Sequence, residues 1–280
     1  MTETVSESGA LRQQIDTWRQ AGQRIGLVPT MGALHSGHVA LVRAALRQCD
    51  KVVVSIFVNP TQFGPSEDFD SYPRQLADDL ATLKTAGAHL LYAPPVDSMY
   101  PDGFATSVSV RGVSEGLCGA TRPGHFDGVS TVVTKLLLRC QPDYAFFGEK
   151  DYQQLQVIKR LVKDLDVNTH IVGVPTERAE DGLALSSRNA YLSDEARAQA
   201  PMLYATLQAC ADAIKQGAPV DEALARAKES LQGAGFAPID YLELRDADDL
   251  TPLTAYNGHA RLLVAARLGN TRLIDNIEVE

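Results

Sequence analysis

Two imidazoles three positions apart, His35 and His38, are the strongest chemical feature of this chain. They sit in TMGALHSGH (30–38), after a short apolar run at 24–29 and before an amphipathic run at 39–46. That order reads as strand, turn and helix. The start of a helix offers unpaired backbone N–H groups and a positive dipole end, which suit a phosphate chain. Imidazoles there donate hydrogen bonds to an anion or supply positive charge, and Gly37 leaves room for a close approach. The spacing alone also fits capping histidines or half of a metal site. No HExxH and no nearby cysteine completes such a site, and the placement favours phosphate chemistry on a nucleotide.

Three further clusters follow strand-like runs. FVNPTQF (57–63) carries the amides of Asn59 and Gln62, which grip a hydroxyl or a carboxylate in two directions; Asn-Pro by itself is turn chemistry. FGEKDYQQL (147–155) carries Lys150, suited to a phosphate, and Asp151, suited to a ribose hydroxyl or to capping the next helix. Gln154 lies one turn further on the same side. LALSSRN (183–189) puts Ser186, Ser187 and Arg188 in a loop that could clamp developing phosphate charge. Arg122 and His125 lie in a glycine-bounded loop at 122–128. Asp78 and Asp79 read either as a solvated helix face or as a pair that attracts magnesium.

The elements that must position these groups alternate. Helix is expected at 11–21, 36–48, 72–87, 128–139 and 151–165. Strand is expected at 24–29, 51–57, 89–93, 106–110, 144–147 and 170–174, with a frayed start before residue 11. The run KVVVSIF at 51–57 is apolar on both sides, the mark of a strand buried on two faces. Such a pattern predicts an α/β fold, a Rossmann-like, mostly parallel sheet with helices on both faces, whose ligands sit at the carboxyl ends of the strands. After residue 175 the order changes to helices at 193–216 and 220–234 and strands at 238–244, 260–267 and 272–278. A first domain at 1–176 and a smaller α+β lid domain at 177–280 are expected.

The chain has 280 residues and a net charge of −9. That balance speaks against a general nucleic-acid or anionic-membrane binder. No apolar stretch approaches the roughly 20 residues that span a bilayer. The four cysteines are scattered and form no CxxC pair, which fits a reduced, cytoplasmic protein.

Five segments in order, PTMGALHSGH (29–38), FVNPTQF (57–63), RPGHFDGV (122–129), FGEKDYQQL (147–155) and DGLALSSRNAYLS (181–193), resemble the pantoate–β-alanine ligases, or pantothenate synthetases. The resemblance runs from about residue 10 onward. The histidine segment is similar to the HIGH motif of the wider nucleotidyltransferase-like group. Ser186-Ser187-Arg188 is similar to that group's KMSKS-type loop, with Arg for its second Lys.

The resemblance implies a two-step ligation with ATP as a substrate. Pantoate and ATP give a pantoyl adenylate and pyrophosphate, with Mg2+. The amine of β-alanine then attacks the acyl carbon and gives pantothenate and AMP. It also implies roles. Met31, Gly32, Ala33, Leu34, His35, Ser36, Gly37 and His38 line the ATP site, and Met31 borders pantoate as well. His38 is the acid or electrostatic catalyst, and His35, Lys150 and Arg188 act with it on the phosphates. Gln62 and Gln154 bind pantoate, Gln62 also lies near β-alanine, and Asn59 shapes that floor. Gly148, Glu149, Lys150 and Asp151 meet ribose and phosphates, and Leu185, Ser186, Ser187 and Arg188 close over the triphosphate. Glu177 stands where the family usually has an apolar residue whose main chain meets the adenine. Asp78 and Asp79 match a magnesium-side pair. A homodimer formed through the first domain is the implied assembly.

Overall fold

A computed structural model of the chain describes residues 2–65 and 67–280. The first sheet has six parallel strands. Its elements begin with β1 (Glu3–Val5), α1 (Ser8–Gln20), β2 (Ile25–Thr30), α2 (Ser36–Gln48), β3 (Lys51–Ile56), α3 (Leu76–Ala86) and β4 (Leu90–Tyr92). Three helices follow before the next strand: α4 (Val96–Met99), α5 (Leu117–Thr121) and α6 (His125–Cys140). Then come β5 (Tyr144–Gly148), α7 (Tyr152–Asp164) and β6 (His170–Val174). The strand order is β1-β4-β3-β2-β5-β6.

Side-chain alternation on the strands feeds two cores. In β3, Val53 packs with α1, α6 and α7, while Val52 and Val54 pack with α2 and α3. That is why the run reads apolar without a break. From β2 the chain steps outward to β3 and β4, then returns to place β5 on the other side of β2. The loops leaving β2 and β5 therefore diverge, and the crevice between them is where such sheets take ligands.

The second part holds α8 (Asp194–Gln199), α9 (Met202–Lys215) and α10 (Val220–Gly233), then an antiparallel sheet of β7 (Phe236–Asp246), β8 (Ala260–Leu268) and β9 (Thr271–Val279). Alternation in β8 splits its side chains between two cores. Leu262, Val264, Ala266 and Leu268 pack with α9 and α10, and Leu263 and Ala265 join the core of the first sheet. The small sheet is thus buried on both faces and packs directly against the core of the first sheet.

Several expectations change. The frayed start is partly a strand: β1 pairs in parallel with β4, and Thr2 Oγ donates to the Ala88 carbonyl at 2.6 Å. With that edge taken, the expected strand at 106–110 does not form, and the Val108 N–H donates instead to Thr131 Oγ (2.9 Å). The helix expected at 72–87 starts only at Leu76, beyond Pro73. The helix expected at 193–216 divides around Ala200 and Pro201, where proline offers no N–H. The helix expected from residue 128 begins at His125, which turns that histidine inward.

Candidate active site

The loops after β2, β3, β5 and β6 meet at the carboxyl end of the sheet and line one cleft, closed from the second part by residues 185–188. Of the sequence-predicted residues, Met31, His35, Gly37, His38, Asn59, Gln62, Gly148, Lys150, Asp151, Gln154, Glu177, Leu185, Ser186, Ser187 and Arg188 all line it. Gly32, Ala33, Leu34, Ser36, Glu149, Asp78 and Asp79 do not.

His35 and His38 form a reciprocal cap at the start of α2. The Gly37 N–H donates to His35 Nδ1 (3.2 Å), and the His35 N–H donates to His38 Nδ1 (3.3 Å). A backbone N–H only donates, so each neutral ring accepts at Nδ1 and carries its proton on Nε2. The capping and phosphate readings are therefore compatible: Nδ1 caps, and Nε2–H remains a donor. Gly37 also spares the His35 ring, a reason its sequence position did not reveal. A Cβ there would lie 2.9 Å from His35 Cε1.

Both rings are held against protonation in this cleft. Burial, reinforced by the charge of Lys150, lowers the His35 pKa to about 4. Burial, reinforced by His35 and Lys150, lowers His38 to about 3. Burial therefore favours hydrogen-bond donation by neutral rings over resident positive charge in the cleft itself.

Asn59 is 1% exposed, and its side chain is fully engaged. Its Oδ1 accepts from Tyr100 OH (2.8 Å) and Thr61 Oγ (3.0 Å). Its Nδ2 donates to Gln62 Oε1 (3.1 Å) and to the Gly128 carbonyl (3.2 Å). Asn59 therefore fixes Gln62 with Oε1 turned inward and Nε2 turned toward Met31, whose sulfur lies 3.2 Å away. Gly128 lets α6 touch this turn backbone to backbone, since a Cβ on it would fall 2.3 Å from the Thr61 carbonyl oxygen.

Lys150 projects from the turn after β5, with Nζ 3.8 Å from Asp151 Oδ2. Asp151 stands at the cap position of α7, yet its side chain accepts no hydrogen bond from the helix, contrary to the capping reading. Burial pushes its carboxyl up, but the charges of Lys150 and Arg188 outweigh that and hold it below the ordinary value. Glu149 points away from the cleft, with its carboxylate 3.7 Å from Arg261. The Glu177 carbonyl accepts from the Leu185 N–H (2.9 Å), which closes the hairpin that carries the serine loop. Ser187 Oγ donates to the Ala33 carbonyl (3.2 Å), and Arg188 makes a forked pair with Asp68 (2.8 and 3.0 Å).

Asp78 and Asp79 do not fit a magnesium site. Asp78 is exposed. Asp79 is 1% exposed, and its two oxygens accept from the Ala33 and Leu34 N–H groups (3.0 and 2.8 Å), which shapes the histidine turn. No cluster of three potential metal ligands occurs among the described residues.

Arg122 and His125, noted in the sequence as part of a glycine-bounded loop and given no role there, also line the cleft. The His125 ring meets the Gln62 carbonyl through Nδ1 (2.9 Å) and Arg122 Nη1 through Nε2 (2.9 Å). Arginine only donates, so His125 accepts at Nε2 and donates from Nδ1. The signal was present in RPGHFDG, but its place depended on where α6 begins.

A parallel sheet with an anion-suited cleft at its switch point defines a Rossmann-like, nucleotide-binding class of α/β protein. No helix among the described residues is long and apolar enough to cross a membrane. The family profile of the pantoate-beta-alanine ligases matches residues 3–278. The pantothenate synthetase of Rhodospirillum rubrum is 61% identical over 270 residues, 96% of each chain. That of Paramagnetospirillum magneticum is 58% identical over 276 residues, 99% of this chain and 97% of the other. The crystal structure of pantothenate synthetase from Thermus thermophilus superposes with a TM-score of 0.94 at 51% identity, covering 99% of both chains. The pantoate-beta-alanine ligase from Francisella tularensis, complexed with beta-gamma ATP and beta-alanine, gives 0.80 at 35% identity, covering 99% of this chain and 98% of the other. This chain belongs to the pantoate–β-alanine ligase family, and it is a ligase.

Proposed function

We propose that this enzyme joins pantoate to β-alanine at the expense of ATP, through a pantoyl adenylate. The carrying observation is the division of one cleft. Two imidazole Nε2–H donors, Lys150 and Arg188 favour phosphates, while Gln62 and Gln154 offer neutral amides to a small hydroxy acid. In the first step a pantoate carboxylate oxygen attacks the α-phosphorus, and pyrophosphate leaves. In the second, the amine nitrogen attacks the acyl carbon, the bond to AMP oxygen breaks, and the nitrogen sheds a proton. Adenylation is needed because a carboxylate is a poor electrophile.

His38 enters this reaction as a neutral donor to the α-phosphate region, with His35 beside it. The approach of a polyanion raises both pKa values again. Lys150 and Arg188 neutralise the charge that develops on the leaving phosphates. The loop at 185–188 keeps water from the adenylate, as the lid of a smaller domain beginning near residue 177. Since Asp78 and Asp79 do not fit a metal, magnesium would arrive on the triphosphate, the usual habit of that ion. Four buried free thiols suit a reducing cytoplasm, and a homodimer is the assembly we propose.

The test is pantoate-dependent exchange of pyrophosphate into ATP, followed by β-alanine-dependent AMP release. His38→Ala and Lys150→Ala should each lose about 10²–10³ in rate. Exchange without pantoate, AMP transfer to a phosphate-bearing acceptor, or full activity of both variants would overturn the reading.

A further inference from the structure

Tyr100 does not line the cleft, yet a chain of hydrogen bonds leads from its hydroxyl to Gln62, which does. The residue closes α4, where its N–H donates to the Val96 carbonyl at 2.7 Å. Its half-buried ring packs beside Phe57 and Phe104, at centroid distances of 6.1 and 5.1 Å. Lys135 Nζ stands over both Phe104 and Tyr100, 4.5 and 5.9 Å from their ring centres. So held, the ring delivers its hydroxyl to Asn59 Oδ1 at 2.8 Å. Burial raises the pKa of the phenol, which keeps the proton it donates.

The direction of each amide in this chain is set by its partners. The Gly128 carbonyl only accepts, so the Asn59 atom 3.2 Å from it is the amide nitrogen. The Asn59 oxygen then faces the hydroxyls of Tyr100 and Thr61, and both donate to it. The second N–H of Asn59 needs an acceptor, and Gln62 Oε1 meets it at 3.1 Å. With that oxygen engaged, Gln62 has only Nε2 to offer a ligand. The nitrogen stands 3.2 Å from the sulfur of Met31, a weak acceptor that also lines the cleft. Turning an amide over exchanges a donor for an acceptor, so this orientation decides which ligand atoms fit.

We propose that Tyr100 is a positioning residue for the acid substrate: through Asn59 it holds Gln62 with its N–H donors toward the cleft, so that Gln62 takes an acceptor oxygen of the acid. This rests on the ligation reading given above. A hydroxyl or carboxylate oxygen accepts such a bond, and an ammonium in its place does not. The relay thus gives the neutral amide a fixed polarity without placing a charge beside the acid.

The experiment measures pyrophosphate exchange, with the KM values for pantoate and for ATP read separately, beside melting temperatures. Tyr100→Phe keeps the ring and removes only the hydroxyl. It should raise the KM for pantoate about 3- to 10-fold, the range of one neutral hydrogen bond, and leave the KM for ATP unchanged. On a Gln62→Ala background the same substitution should add nothing to the KM for pantoate, because the group it positions is gone. A melting temperature that drops while the ratio of the two KM values stays fixed overturns the proposal. An equal rise in the KM for pantoate with and without the Gln62 side chain also overturns it. An unaltered enzyme with no pantoate-dependent pyrophosphate exchange would instead defeat the ligation reading itself.

Discussion

Asn276 on β9 holds the main chain of Lys150 in place: its Nδ2 donates to the Lys150 carbonyl at 2.9 Å and, at the same distance, to that of Glu149. The opposite end of the amide accepts from Arg261 Nη1 at 2.6 Å. The lysine of the cleft is therefore aimed by a residue more than a hundred positions away, on the small sheet.

Replacing Asn276 by Ala removes these bonds at a site only 4% exposed. Carbonyls left without partners at such a position cost about 1–3 kcal/mol. The variant should melt at lower temperature, and its KM for ATP should rise more than its KM for pantoate, because the turn that loosens carries Lys150. Thermal melts and steady-state kinetics check both.

Two glycines near the cleft should behave differently. A methyl on Gly128 would press on backbone, with Thr61 O at 2.3 Å and Gln62 Cα at 2.7 Å. Neither atom yields without moving the turn, so Gly128→Ala should cost about 1–3 kcal/mol and most of the activity. A methyl on Gly37 would meet the His35 ring, which swings aside. Alanine also gains up to about 1 kcal/mol of helix propensity. That gain is offset by the His35 cap lost when the ring moves, so Gly37→Ala should change stability by less than about 1 kcal/mol while kcat falls. Urea midpoints set beside kcat separate the two cases.

The long-period features of this fold were legible because they are local. The buried run at 51–57, the strand–turn–helix around His35 and His38, and the loop of Ser186 to Arg188 each carry their signal within about ten residues. What escaped was non-local. That Asp79 caps the Ala33 and Leu34 amides needs the packing of α3 against the first turn. That residues 3–5 pair while 106–110 do not is a matter of the β4 edge, which β1 occupies. Arg122 and His125 were visible as residue types, but their direction was not, because it hangs on a helix that starts three residues early. Asn276 gave no sequence signal at all, being an amide in a strand of ordinary alternation.

Acid should destabilise the protein in two successive windows. His35, His38 and His125 have folded pKa values of about 4, 3 and 4, below the ordinary 6.5. Between those values and 6.5 the unfolded chain binds protons that the folded chain refuses. Stability therefore falls as pH drops below 6.5 and stops falling, for these groups, once the folded rings titrate. Burial pushes Glu67 up, but Arg122 outweighs it and holds the carboxyl at about 2, against an ordinary 4.5. Its stabilisation is present above 4.5 and disappears as pH falls toward 2. His125→Gln should flatten the slope of unfolding free energy between pH 6.5 and 4, and Glu67→Gln should flatten only the lower window. Urea titrations at several pH values read both slopes.

The pair of Asp68 with Arg188 ties the serine loop to the segment between β3 and α3, but it is partly exposed, 22% and 29% at the two side chains. Pairs of that kind contribute about 0–1 kcal/mol, so Asp68→Asn should leave the melting temperature nearly unchanged. Its local effect should be larger. Ser187 Oγ on the Ala33 carbonyl would remain as a link between loop and turn, and amides at 185–191 should exchange faster without nucleotide and regain protection when ATP is added. Removing the carboxylate also removes a competitor for the guanidinium and a negative charge near a polyanion. The KM for ATP should therefore fall, most visibly at low ionic strength, where exposed charges are least screened. Hydrogen exchange with and without ATP, and KM at two salt concentrations, test this. A higher KM would mean that Asp68 prepares Arg188 for the nucleotide and does not compete with it.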